Sequence, residues 1–152
     1  MNKVEITQAY ESLNQWFQSL NEVDEQKWFA PIDEGKWSMA ACLSHLLFWD
    51  RFSLEERFPF IKEGASLPPF PDFQTVNNKA HDYAESGITK TELLHELIHT
   101  RMELLSIITS YSEEELDTSF SIGDHQFTIR EYFVDFIQHD YHHKNQIEVL
   151  LS

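Results

Sequence analysis

The chain has little of what several fold and function classes require. Its one cysteine, Cys42, excludes an internal disulfide framework and a cysteine-based zinc site, and it suits a reducing cytosol. Only 4 glycines and 5 prolines occur in 152 residues, which argues against a turn-dense all-β architecture and a glycine-rich phosphate loop. Basic residues are also scarce: 11 Lys and Arg stand against 26 Asp and Glu, a net charge of −15. A body so acidic repels phosphate backbones and anionic lipid heads, so neither nucleic acid nor a membrane surface is an expected partner. No apolar run approaches the length of a membrane span, and the stretch from Met1 to Glu5 lacks the apolar core of a signal peptide. Aromatic residues, by contrast, are plentiful, with 12 Phe, 5 Tyr and 4 Trp. That is too much apolar mass for a disordered acidic chain. A cytoplasmic helical protein is expected, with residues 1–152 forming one domain large enough to build a core without staples.

Hydrophobic periodicity predicts four long helices. Ile6, Ala9, Tyr10, Leu13, Trp16, Phe17 and Leu20 recur at steps of three and four, which marks a first helix from about Lys3 to Leu20. Ser38 is placed to cap a second, from about Met39 to Phe58, closed by Pro59 and Gly64. Thr89 with Glu92, and Thr128 with Glu131, have capping-box spacing and open the third and fourth helices, about Lys90–Tyr111 and Ile129–Leu150. Ser112 and Glu115 repeat the pattern ahead of one short turn. Residues 64–71, with Pro68, Pro69 and Pro71, read as loop; residues 72–85 as a short helix or irregular chain; and residues 120–127 as a small hairpin or loop. The fold class is therefore all-α, a four-helix bundle with a long connection between helices two and three that could serve as a crossover.

Eight histidines carry the chemical signal, and helix faces sort them. His95 and His99 lie in His95-Glu96-Leu97-Ile98-His99, which matches the HExxH zinc-protease pattern. At about 100° per residue they fall roughly 180° from the middle of the stripe formed by Leu93, Leu94, Leu97, Arg101, Leu104, Leu105 and Ile108. A pair facing water on a short chain reads as coincidence. On the fourth helix His143 falls within the apolar stripe and His139 on its flank, at i,i+4, while His142 points away. His45 shares the second helix's face with Ala41, Cys42, Phe48, Trp49 and Phe52. Three imidazoles in an apolar interior are costly unless something satisfies them, and a divalent metal would do so. Three neutral histidines leave coordination positions open, which is the catalytic pattern, and they do not choose among Zn²⁺, Ni²⁺ and Fe²⁺.

The stretch Gly35-Lys36-Trp37-Ser38-Met39-Ala40-Ala41-Cys42-Leu43-Ser44-His45 resembles the second-helix signature of the DinB-like family of metal-binding four-helix bundles, in which a His follows a Trp-Ser pair by about seven residues. Phe136-Ile137-Gln138-His139-Asp140-Tyr141-His142-His143-Lys144-Asn145-Gln146 is similar to its last-helix signature, with Lys144 where Arg is common. The resemblance spans nearly the whole chain and implies that His45, His139 and His143 are the metal ligands. The family includes enzymes that use low-molecular-weight thiols such as bacillithiol or mycothiol. It therefore implies a small-molecule substrate and a thiol S-transferase or detoxification activity, with metal-dependent hydrolysis as the alternative. From another class comes the rival of a non-catalytic, stress-associated bundle or dimer with a vestigial site.

Three further expectations rest on single residues. Cys42 reads as a small core residue, and Trp49, one turn from His45, as a candidate pocket wall. Asp140, near the middle of the fourth helix's stripe, needs a partner; an i,i+4 ion pair with Lys144 is favoured over service as acceptor for a ligand imidazole. The second helix is apolar nearly all round. Its far face, Leu43, Leu47 and Leu54, must be covered either by the 64–85 segment or by a second copy of the chain. A homodimer is the expectation, in keeping with the family resemblance.

Overall fold

The computed structural model describes residues 1–152. The four long helices are α1 (Lys3–Ser19), α3 (Met39–Glu56), α5 (Lys90–Ser110) and α6 (Ile129–Leu151). Two shorter ones, α2 (Glu25–Phe29) and α4 (Phe73–Ala84), lie in the connections. Short polar side chains start most of them. The Ser38 hydroxyl accepts from the Ala41 amide at 3.0 Å, and Thr89 and Glu92 close a complete capping box. Asn2 and Glu5 close another at the start of α1. Thr128 accepts from the Glu131 amide, as its spacing predicts. Residues 72–85 resolve to α4, capped by Asp72. Residues 119–128 form the hairpin, β2 (Ser119–Ile122) with β3 (His125–Thr128). Gly123 turns it at φ +56°, a left-handed conformation that side chains resist, and a Cβ there would meet Pro69 at 3.3 Å.

The order of helices in space follows from a few contacts. Trp16 reaches Glu148 and Arg130 reaches the Met1 carbonyl, so α1 and α6 run parallel. Thr91 meets Asn21 while Lys3 meets the Thr109 carbonyl, so α1 and α5 are antiparallel. His45 lies against His139 and Ser53 against Tyr132, so α3 and α6 are antiparallel. Hence α3 and α5, which pack together, run the same way. Parallel neighbours need a crossover, and residues 57–89 provide it. On the way the chain pairs β1 (Ser66–Leu67) parallel to β2, and this fixes the segment leading to α4.

Across the middle of the bundle lies a buried ion network. Arg101 of α5 donates to both carboxylate oxygens of Asp140 on α6, at 2.5 and 2.8 Å, and through Nε to Asp50 of α3 at 2.5 Å. Its guanidinium carbon stands 5.4 and 5.2 Å from the ring centres of Tyr10 and Phe17 on α1. All four long helices therefore meet at one cation. This corrects the expected Asp140–Lys144 pair. Asp140 faces the interior, 1% exposed, where Arg101 reaches it across the core, and Lys144 lies instead 3.9 Å from Glu148.

The far face of α3 is covered from within. Leu43 and Leu47 are wholly buried in a cluster with Ala84 of α4 and Leu93, Leu94 and Leu97 of α5. Ser44 donates to the Ala80 carbonyl at 2.7 Å. Leu54 is half-buried against the second cluster, around Phe58 and Phe133. The stripe from which a dimer was expected is thus an intramolecular surface. No helix is long and apolar enough to cross a membrane.

Two outcomes follow. Leu47→Ala should destabilise the fold by about 2–5 kcal/mol in urea unfolding, as for a buried leucine that leaves a cavity; a loss below about 0.5 kcal/mol would mean that the face is open. Burial, with the Asp140 charge beside it and against the pull of Arg101, pushes the Asp50 carboxyl up to about 7. An acid raised in the folded state contributes stability that is fully present below its unfolded pKa of 3.8 and is lost as pH rises through about 7. Stability of the native chain minus that of Asp50→Asn should therefore decline across this window. A difference that stays flat between about pH 4.5 and 7.5 contradicts the assignment.

Candidate metal centre

Three helical turns bring the cluster together. Ser38 starts α3, and seven residues on, two turns into the helix, His45 points into the bundle. Trp37 folds back over it, its ring centre 5.3 Å from the imidazole. From α6, His139 and His143 project one turn apart onto the same spot. His139 Nε2 lies 3.3 Å from His45 Nε2 and 3.2 Å from His143 Nε2. His45 is buried and the other two are half-buried.

Hydrogen bonds on the far side of the rings fix which nitrogen is bare. Asn77 of α4 faces Trp49 Nε1 at 3.1 Å and His45 Nδ1 at 2.7 Å. An indole N–H only donates, so the Asn77 atom between them is its carbonyl oxygen. His45 Nδ1 must then carry a hydrogen and donate it, which leaves Nε2 as a lone pair. His143 Nδ1 likewise donates to Gln146 Oε1 at 3.1 Å. His139 Nε2 sits between these two bare nitrogens and, even if protonated, satisfies only one. Burial lowers the pKa of His45 and His143 to about 4 and that of His139 in the same direction, so near neutral pH all three are uncharged. Lone pairs pressed together without protons are repulsive, and a cation among them removes the repulsion. Tetrahedral zinc with Zn–N bonds of about 2.0–2.1 Å sets its nitrogens roughly 3.3–3.4 Å apart, close to the two spacings from His139, and all three ligand atoms lie within 4.8 Å of one another. These residues could hold a divalent metal.

Two hollows flank the cluster. One, of about 210 Å³, is lined by His45, His139, Trp49, Phe70, Phe73, Phe136 and Asp135. The other, of about 710 Å³, runs past His143, Gln146, Lys36, Trp37 and Cys42. Burial pushes the Cys42 thiol up to about 12, so it is a core thiol and not a nucleophile. Burial also raises the Asp135 carboxyl, aided by Glu131.

The structure separates the second histidine pair from this site. His95 and His99 are exposed; His99 faces Glu103 at 3.3 Å, and Glu96 accepts from the Tyr83 hydroxyl at 2.8 and 2.9 Å. His142 is exposed too. Sequence reasoning missed Asn77, Asp135, Phe70 and Phe73. For Asn77 a signal existed: it stands three and seven residues before Ala80 and Ala84, the buried face of α4.

Replacing both His139 and His143 by Ala should abolish binding of one divalent ion per chain, measured by calorimetry, whereas replacing His95 and His99 together should leave it unchanged. Loss of binding in the second variant would move the site to α5.

Comparison with known proteins agrees with this architecture. No curated protein sequence matches the chain. Among solved structures, one described as "YfiT from Bacillus subtilis is a probable metal-dependent hydrolase with an unusual four-helix bundle topology" aligns with a TM-score of 0.78 at 14% identity, over 97% of this chain and 85% of that one. At that identity the likeness is one of fold. The family profile of the DinB superfamily matches residues 5–147. The chain belongs to the DinB superfamily.

Proposed function

We propose that this protein is a metal-dependent enzyme acting on a small organic molecule, with His45, His139 and His143 as the metal ligands and hydrolysis as its reaction. The observation that carries the reading is the convergence of three uncharged Nε2 atoms, two of them held bare by Asn77 and Gln146. A divalent cation in such a set supplies Lewis acidity and brings the pKa of water or a thiol toward neutrality. The chain's own groups do the rest. Asn77 and Gln146 keep the imidazoles in the donor tautomer and orientation. The aromatic hollow seats the substrate. Asp135 opens onto the same hollow as His45 and His139. Its carboxylate accepts the proton that an attacking water loses, and returns it to the leaving oxygen or nitrogen as the bond to the substrate breaks. The description of YfiT as a probable metal-dependent hydrolase supports the same class.

The wide hollow favours a second reading. It gives room for a second reactant, and its lining pairs one cation, Lys36, with one acid, Asp33. A low-molecular-weight thiol bound there would make the enzyme an S-transferase. The two readings differ over Asp135, because a thiol that arrives as thiolate needs no base. In a screen of the zinc-, nickel- or iron-loaded protein against esters and amides, and separately against thiols with electrophiles, Asp135→Asn should lower hydrolytic kcat by about 10²–10⁴-fold with metal affinity unchanged. Full hydrolytic activity of the variant removes Asp135 from the reaction, and turnover only when a thiol is present supports transfer. Failure to bind any of the three metals leaves the non-catalytic bundle.

A further inference from the structure

Resting on the metal-enzyme reading, we infer that the substrate carries an uncharged, phenyl-sized apolar group that sits beside the metal between Trp49, Phe70, Phe73 and Phe136. Four observations point there. The hollow holds about 210 Å³, room for one aromatic ring and little more. Its walls are themselves rings: Trp49 lies 5.3 Å from Phe73 and 6.1 Å from Phe70, centre to centre, and Phe70 lies 6.2 Å from Phe73. Phe73 at the rim is 61% exposed, an apolar side chain left facing water at the mouth of the hollow. The hollow is also tied to the metal cluster by one atom. The Asn77 oxygen that orients His45 also accepts from Trp49, so a ring packed on Trp49 is positioned relative to the ligand imidazole.

Charge narrows the class further. Asp135 is the sole ionic group in this lining, and the chain as a whole carries −15. A carboxylate on the far end of the substrate's ring would meet that field with no cation in the lining to match it; the Arg57 guanidinium lies against the Phe70 ring, 4.7 Å from its centre, and is itself buried. Lys36 lines the other hollow, together with Asp33. Apolar parts of a substrate are thus directed to the His45 side.

Hydroxamic acids test this, because the hydroxamate chelates an open metal while its substituent reports on the hollow. With the zinc-loaded full chain, benzohydroxamic acid should bind about ten- to a hundredfold more tightly than acetohydroxamic acid, the gain expected for burying one ring. The 4-carboxy derivative should lose most of that gain. Phe73→Ala, a change at an exposed position, should reduce the phenyl advantage several-fold and leave acetohydroxamic acid unaffected. Equal affinity for the two unsubstituted acids would overturn the inference. So would a phenyl advantage untouched by Phe73→Ala, which would place the ring in the wide hollow beside Trp37. Should neither acid bind although zinc is present at one per chain, the open metal centre itself is refuted, and the inference falls with it.

Discussion

The guanidinium of Arg101 is the point on which the rest of the molecule depends. It sits wholly buried, with Asp140 on one side, Asp50 on the other and the rings of Tyr10 and Phe17 against it. Each of the four long helices contributes at least one of these groups. A buried ion network seldom adds net stability over an apolar core of the same shape, but loss of one partner costs about 3–5 kcal/mol, because a charge is left unpaired. What it supplies here is register. Asp50 stands five residues after His45 and Asp140 next to His139. A slip of α3 against α6 that separated the imidazoles would also break the network.

Register alone does not make a site. The imidazoles become useful because the outer nitrogens of His45 and His143 are spoken for. Asn77 comes from α4, inside the long crossover, so the connection that makes α3 and α5 parallel also delivers the group that orients His45 and the rings that wall the smaller hollow. The pairing of β1 with β2, and the approach of Pro69 to Gly123, fix the start of that segment. Topology and chemistry are linked through one stretch of chain.

Much of this was legible in the sequence. Capping residues at Ser38, Thr89 and Thr128 mark where three long helices begin, since a cap is a local interaction. The 100° rotation per residue places His45, His139 and His143 inward and His95 and His99 outward, since a face needs only its own helix. Pairings between helices were not legible. Arg101 and Asp140 each fall in an apolar stripe, yet nothing within either helix says that they meet, and the local partner Lys144 looked sufficient. The apolar far face of α3 was ambiguous for the same reason: a second chain or the crossover could cover it, and only the bundle's order shows that α4 and α5 do. Asn77 shares the spacing of Ala80 and Ala84 on the buried face of α4, but that alone names no role for it, and Asp135 carries no such signal. Their importance comes from what the fold places beside them.

The central claim is that three imidazole nitrogens, and no carboxylate or thiolate, hold one divalent ion. X-ray absorption at the zinc edge of the loaded protein tests it most directly. The account predicts nitrogen or oxygen scatterers at about 2.0–2.1 Å with the outer-shell pattern of three imidazole rings. A sulfur shell near 2.3 Å, or fewer than three imidazoles around the metal, would contradict it.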